Sequence, residues 1–258
     1  MRVSGVMFDL GGTLFQHLPP ATTTQNLALA LATQGVSDPP QAQLASYHGV
    51  RAAVEQEFVG RRFFLHRELV LTAVTRYGAL LRDAGIAVDG DALGRAFYAL
   101  QRTAVTEQLR PREDAAHVLQ TLREWGYQVG IVSNIDEDYL GPLLAREPDL
   151  AACHFVLSSE YCRSCKPDAA IFQRALARSG LPPEQILVVG DSLTNDVRGA
   201  YTMGMRSAWL ICDQLEERIA PVRGALAADS PGSLVGPLRA PDLFIDALVD
   251  LLGLLRVD

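Results

Sequence analysis

The sequence predicts an α/β protein: a doubly wound parallel sheet with an all-helical segment inserted behind its first strand. Three observations predict it. An apolar run, "VSGVMFD" (residues 3–9), opens the chain and breaks at Gly11 and Gly12. From about residue 22 to 108 the apolar residues recur at helical spacing and no strand pattern interrupts them. Beyond that, helix-like and strand-like segments alternate to the end, the rhythm of a parallel sheet wound on both faces.

Each element follows from local chemistry. The first strand is apolar up to Asp9, and the two glycines let the backbone turn sharply. In the insertion, "TTTQNLALALATQG" stops at Gly35, where a helix needs a residue free of Cβ strain. "PPQAQLASYHGVRAAVEQEFVG", "RELVLTAVTRYGALLRDAG" and "GDALGRAFYALQRTAVTEQ" behave alike. "REDAAHVLQTLREWG" is an amphipathic helix with its acids early and Gly126 at its end. "YQVGIVSN" reads as a strand, residues 136–146 as a helix, and "HFVLSS" as a strand. "PDAAIFQRALARSG" is a helix with Pro167 at its start and Gly180 as its stop. "QILVVGD" is almost continuously apolar, as in a strand buried on both faces. "TNDVRGAYTMG" reads as a helix, "RSAWLIC" and "PDLFID" as strands, and "ALVDLLGLL" as a closing helix. Residues 222–242, rich in Gly, Pro, Ser and Ala, read as a loop. The expected organisation is a core of residues 1–16 and 109–258 with a helical cap of residues 17–108.

Composition narrows the function classes. At 258 residues, 48% hydrophobic and 21% charged, the chain has enough apolar side chain for a sizeable core. A net charge of −7 argues against nucleic acid or an anionic membrane as the main partner. No apolar run reaches the ~18 residues of a membrane span, and Asp9 interrupts the one candidate leader. The chain therefore reads as cytoplasmic, with Cys153, Cys162, Cys165 and Cys212 as thiols. A small anionic substrate would need locally placed cations.

One such cation stands out. Of 23 basic residues 22 are arginine, and the sole lysine is Lys166. An ammonium is a compact point charge and a guanidinium a planar fork, so the exception invites a local reason. In a doubly wound sheet, ligands bind beyond the carboxyl ends of the strands. Those ends carry Asp9, then Ser133 and Asn134, then Lys166 after a short loop, then Asp191 with Asn195 and Asp196 a turn later. Two carboxylates, a hydroxyl and an ammonium at one edge suit a phosphoryl group bound through a hard divalent cation.

The motifs "FDLGGTL", "VGIVSN", "KP" and "VVGDSLTND", in that order and on those elements, resemble the haloacid dehalogenase-like (HAD) hydrolases. The resemblance covers residues 1–15 and about 109–258, and the place of the insertion matches members with a helical cap of the first type. It implies a Rossmann-like core and a phosphatase-like Mg²⁺-dependent enzyme acting on a small phosphorylated substrate. By resemblance Asp9 is the nucleophile that forms an aspartyl-phosphate. The metal would be held by Asp9, the carbonyl of Gly11 and Asp191, with Asp196 or Asn195 in support. Ser133 and the backbone at Asn134 would bind the phosphoryl group, Lys166 would neutralise its charge, and Thr13 would brace the turn.

Gly11 departs from the pattern. Phosphatases of the family usually carry a second Asp there, which protonates the leaving oxygen and then activates water. Glycine keeps the carbonyl and loses both functions. His17 and His66 are the candidate substitutes, since histidine titrates in the right range. Two other readings stay open: a catalytically impaired binding or regulatory protein, and a dehalogenase-like hydrolase, against which the phosphatase-like "VVGDSLTND" weighs. Phosphonate cleavage through a cap lysine is excluded, because residues 17–108 contain no lysine. "CRSC" has the spacing of half a zinc site or a redox pair, with no second pair nearby to complete the former. His48, Arg51, Arg61, Arg62, His66 and Arg67 are the insertion's candidates for reading a substrate's distal end.

Overall fold

The computed structural model describes residues 3–37, 39, 41–211 and 241–255. Cys212 and all but the end of the loop expected at 222–242 lie outside them. The chain divides into two compact units: Met1–Gln16, Arg110–Ser133 and Leu144–Asp258 form one, and His17–Leu109 with Asn134–Leu143 the other.

In chain order, β1 (Gly5–Phe8) is followed by α1 (Pro20–Ala32), α2 (Gln41–Phe58), α3 (His66–Asp83) and α4 (Gly90–Thr103). Then come α5 (Ala115–Glu124), β2 (Gln128–Ser133), α6 (Glu137–Arg146), α7 (Pro148–Ala151), β3 (Phe155–Ser158), α8 (Ser159–Cys162) and α9 (Ala169–Ser179). The described chain ends with β4 (Ile186–Gly190), α10 (Arg198–Thr202), β5 (Arg206–Leu210), β6 (Leu243–Ile245) and α11 (Asp250–Leu255). No described helix is long and apolar enough to cross a membrane.

The first unit carries one six-stranded parallel sheet in the order β3-β2-β1-β4-β5-β6. The α/β Rossmann-like fold with a helical insertion is thus the observed one. The chain runs outward from β1 through β2 to β3, then restarts on the other flank of β1 with β4. The switch point, where such sheets leave a crevice for ligands, therefore lies between β1 and β4. Phe8 sits beside Ile131 of β2 and Val189 of β4, so the three strands end almost level. Met7, Val132, Phe155, Ile171, Phe172 and Val188 pack one core cluster of the sheet and α9. Burying each such side chain is worth about 1.5–3 kcal/mol.

The second unit's core gathers Leu27, Leu31, Tyr47, Val54, Val70, Tyr77, Leu93 and Phe97. The Tyr47 ring meets Tyr77 and Phe97 edge-on at 5.7 and 5.4 Å, geometries that aromatic quadrupoles favour. Helix α4 is capped by Asp89, whose carboxylate accepts from the amides of Asp91 and Ala92.

The elements differ from the sequence reading mainly at their ends. "TNDVRGAYTMG" opens not as an α-helix but as a π-helical turn, Leu193–Val197, before α10. The helix expected to reach residue 108 likewise closes in a π turn at Ala104–Gln108. Pro167 precedes α9 rather than starting it: Asp168 is the cap, accepting from the Ala170 amide. The strand expected at 154–159 ends at Ser158, whose hydroxyl caps the one-turn α8.

Candidate active site

Asp9 is the first residue past β1, and its amide donates to the Val189 carbonyl of β4 at 2.9 Å. The carboxylate thus starts from a fixed point at the switch. The loop behind it is tied down at several atoms. The Phe15 amide closes on the Leu10 carbonyl at 2.9 Å, and Gly12 takes φ 80°, a conformation natural to glycine. Arg112 reaches back from the far side of the insertion: its Nε and Nη2 donate to the carbonyls of Thr13 and Gly12, each at 2.8 Å. Thr13 is fully buried and its hydroxyl finds no hydrogen-bond partner. An orphaned buried hydroxyl costs about 1–3 kcal/mol.

Gly11 is exposed, and a Cβ placed there would meet no atom within 4 Å. Its φ lies outside the left-handed region. The position accepts a side chain and has none.

Lys166 is brought in by the loop after β3. Helix α8 stops at Arg163, which takes φ 51°, and Ser164 then donates to the Asp168 carboxylate at 2.7 Å. The ammonium sits between two carboxylates, donating to Asp9 Oδ1 and Asp196 Oδ1 at 2.6 Å each, with 5% of the residue exposed. This geometry answers the compositional puzzle. A planar fork on a longer stem does not fit where a point donor bridges two acids at such range. Burial works against its charge, yet the charges and hydrogen bonds of Asp196 and Asp9 outweigh burial and raise its pKa.

Asp196 owes its place to the π turn. The amides of Asp196 and Val197 both donate to the Ser192 carbonyl, while Asp196 Oδ2 accepts from the Ser192 amide at 3.1 Å. The turn lays this side chain against Gly190, where a Cβ would come within 2.1 Å of the Asp196 carboxyl carbon. Only glycine permits that approach. Burial, with the nearby charges of Asp9 and Asp191, pushes the Asp196 carboxyl up to about 7 against the pull of Lys166. Asp191 follows β4, and Trp209 Nε1 holds its carbonyl at 2.9 Å. One oxygen from each of Asp9, Asp191 and Asp196 lies within 4.8 Å of the others. Three carboxylates so close favour a hard divalent cation among them, since oxygen-only donors are what Mg²⁺ takes.

The sequence-predicted residues therefore divide. Asp9, Lys166, Asp191 and Asp196 converge, and Gly11 and Thr13 lie on the loop that follows Asp9. Ser133 closes β2, 4% exposed and paired in register with Ser158. Asn134 belongs to the second unit, as do His17 and His66. His66 is neutral at ordinary pH: burial first, then the Arg51 charge, pushes its imidazole down to about 4. Cys162 and Cys165 are buried free thiols. Arg112 and Trp209 carry no signal in the sequence, whereas Ser192 stands there as a capping candidate for the following helix, and its hydroxyl does accept from the Asn195 amide at 3.2 Å.

A family model described as haloacid dehalogenase-like hydrolase matches residues 3–204. The chain is 28% identical to a ribulose-1,5-bisphosphate 5-phosphatase of Halopiger xanaduensis, over 97% of this chain and 98% of that one. It is 27% identical to a glyceraldehyde 3-phosphate phosphatase of Methanopyrus kandleri, over 79% and 82%. Among solved structures, the fold is similar to that of the HAD-hydrolase YfnB of Bacillus subtilis bound to magnesium, with a TM-score of 0.72 at 20% identity over the full length of both chains.

Proposed function

The chain belongs to the haloacid dehalogenase-like hydrolases, and from that premise we propose that it is a magnesium-dependent phosphatase acting on a small soluble phosphate. The observation that carries this reading is the buried Lys166 bridging Asp9 and Asp196, with Asp191 beside them at the switch point. Three acids and one cation gathered at the strand ends serve no packing purpose, and a cluster of perturbed, charge-paired groups is the signature of a reaction site. The phosphatase relatives named above support the reaction class.

In this reading an Asp9 oxygen attacks phosphorus, the bond to the leaving oxygen breaks, and water then cleaves the aspartyl-phosphate. Lys166 holds Asp9 in line and offsets the charge of the phosphoryl oxygens. Ser133 donates to one of those oxygens, the Asn134 backbone to another, and the orphaned Thr13 hydroxyl gains a partner when an anion or water arrives. Mg²⁺ fits the three carboxylates; Asp9, the Gly11 carbonyl and Asp191 would hold it, with Asp196 in support, and it would withdraw charge from the phosphoryl group.

Gly11 makes the enzyme selective by leaving group. General acid–base help is worth ~10²–10⁴ in rate, or about 3–5 kcal/mol at ~1.4 kcal/mol per decade. Phenolate departs unaided and alkoxide does not. The same glycine favours a second reading, a binding protein that retains the phosphate site without turnover. Phosphate release from p-nitrophenyl phosphate and from an alkyl phosphate, with Mg²⁺, separates the two. Wild type turns over the aryl ester, Asp9→Asn loses it by ~10⁴-fold or more, and Gly11→Asp raises alkyl turnover by ~10²-fold. Absence of turnover in both wild type and Gly11→Asp rejects the phosphatase in favour of the binding protein.

A further inference from the structure

We propose that Asp136 is a positioning residue for Ser133, anchoring the chain that leaves β2 to the N-terminus of α3. The proposal rests on the reading of Ser133 as a phosphate ligand.

The segment Asn134–Leu143 starts directly after Ser133, yet it belongs to the second unit. One tether is Asp136, fully buried, which accepts from the His66 amide with one oxygen and the Arg67 amide with the other, each at 2.8 Å. Those amides are the first two of α3, orphan donors at the positive end of the helix dipole. Leu65, at the cap position of α3, has no acceptor in its side chain to serve them. The cap is thus supplied by a residue 70 positions later in the chain. Two further contacts hold the same segment. Tyr98 of α4 donates to Asp138 Oδ2 at 2.7 Å, and Arg102 Nε donates to the Asp138 carbonyl at 3.1 Å. The Tyr139 ring stands edge-on to His66 and Tyr98 at 5.9 and 5.7 Å.

A helix cap needs only one acceptor, and it is usually local. Here both oxygens of a buried carboxylate are used, and the residue lies three positions from Ser133. Three residues span about 10 Å when fully extended. So short a tether leaves Ser133 little freedom once Asp136 is seated. The clamp ties the far end of the span to α3, and the β2 ladder holds Ser133 in the sheet. Loss of the clamp frees the strand end that carries the hydroxyl.

Two measurements on the full chain test this. The first is hydrogen exchange at residues 132–135. Asp136→Ala speeds exchange there by ~10-fold or more, Asp136→Asn by less, since one acceptor oxygen survives. Leu93→Ala, a cavity in the second unit's core that touches no tether described above, is the control. Equal acceleration in Leu93→Ala and Asp136→Ala, or none in Asp136→Ala, overturns the proposal. The second is a double-mutant cycle on p-nitrophenyl phosphate turnover. Asp136→Ala lowers kcat/KM by ~10–30-fold in the wild-type background and by less than about 3-fold in Ser133→Ala. An equal loss in both backgrounds overturns it. Absence of turnover in both wild type and Gly11→Asp would reject the phosphatase reading, and the exchange result would then decide the positioning role alone. Should Asp136→Ala not fold, Asp136→Asn serves in both experiments.

Discussion

The two units hold their buried carboxylates in opposite ways. In the first, charge faces charge: an ammonium between two carboxylates, with a third carboxylate oxygen within 4.8 Å. In the second, polar groups face neutral partners. Asp136 sits on backbone amides, and the Asn26 amide donates to Gln101 at 3.0 Å. Burying charges against each other gains little net stability, because desolvation consumes most of the attraction. Capping amides that are buried anyway removes a penalty. The first arrangement is hard to explain as architecture and easy to explain as chemistry, and the second the reverse.

The sharpest way to break this contrast is Lys166→Met. It leaves Asp9 and Asp196 buried without their cation, and stability measured by denaturant unfolding in chelator falls by about 3–5 kcal/mol. Added Mg²⁺ recovers part of that loss. A loss under about 1 kcal/mol would mean that the acids protonate at little cost and that the cluster is architecture after all.

A smaller effect sharpens the second unit's side. The His66 imidazole is held down to about 4 by burial and then by Arg51. Its folded pKa lies below its unfolded value of about 6.5. Between the two the unfolded chain binds more protons, so stability rises with pH across that window and is lost as pH falls from about 6.5 to 4. At about 1.4 kcal/mol per unit the expected loss is about 3 kcal/mol, read as melting temperature against pH, and His66→Gln flattens it. A profile unchanged by His66→Gln would show that this ring titrates alike folded and unfolded.

The smallest is Asp89→Ala, which removes two capping bonds from α4 and costs about 1 kcal/mol. It lowers the melting temperature and leaves turnover of p-nitrophenyl phosphate unchanged. A matching fall in turnover would show that the stability of the helical unit limits the reaction.

Much of this was legible in the sequence because it is local. Apolar runs such as "QILVVGD" announced buried parallel strands, and glycine stops announced helix ends. The strand-end polar residues could be placed at one edge because parallel topology puts all carboxyl ends there. What stayed illegible depends on partners distant in the chain. Nothing near Arg112 says that its guanidinium closes on carbonyls 99 and 100 positions earlier. "DEDYL" reads as the start of a crossover helix, and its pairing with α3 and α4 leaves no periodic trace. The π turn was missed for a different reason: in "SLTNDV" the capping serine and early acid are those of any helix start, and nothing local marks the wider turn that lays Asp196 against Gly190.

The long gap between Asp9 and its counter-ion bears on how the protein is made. Lys166 leaves the ribosome 157 positions after Asp9, and Asp196 another 30 positions after that. Domains generally fold as units during synthesis, earlier ones first. The helical insertion is translated before either partner of Asp9, so it can consolidate while β1 waits for the strands on both its flanks. On a nascent chain Asp9 is the oldest member of the cluster and waits longest for its partners.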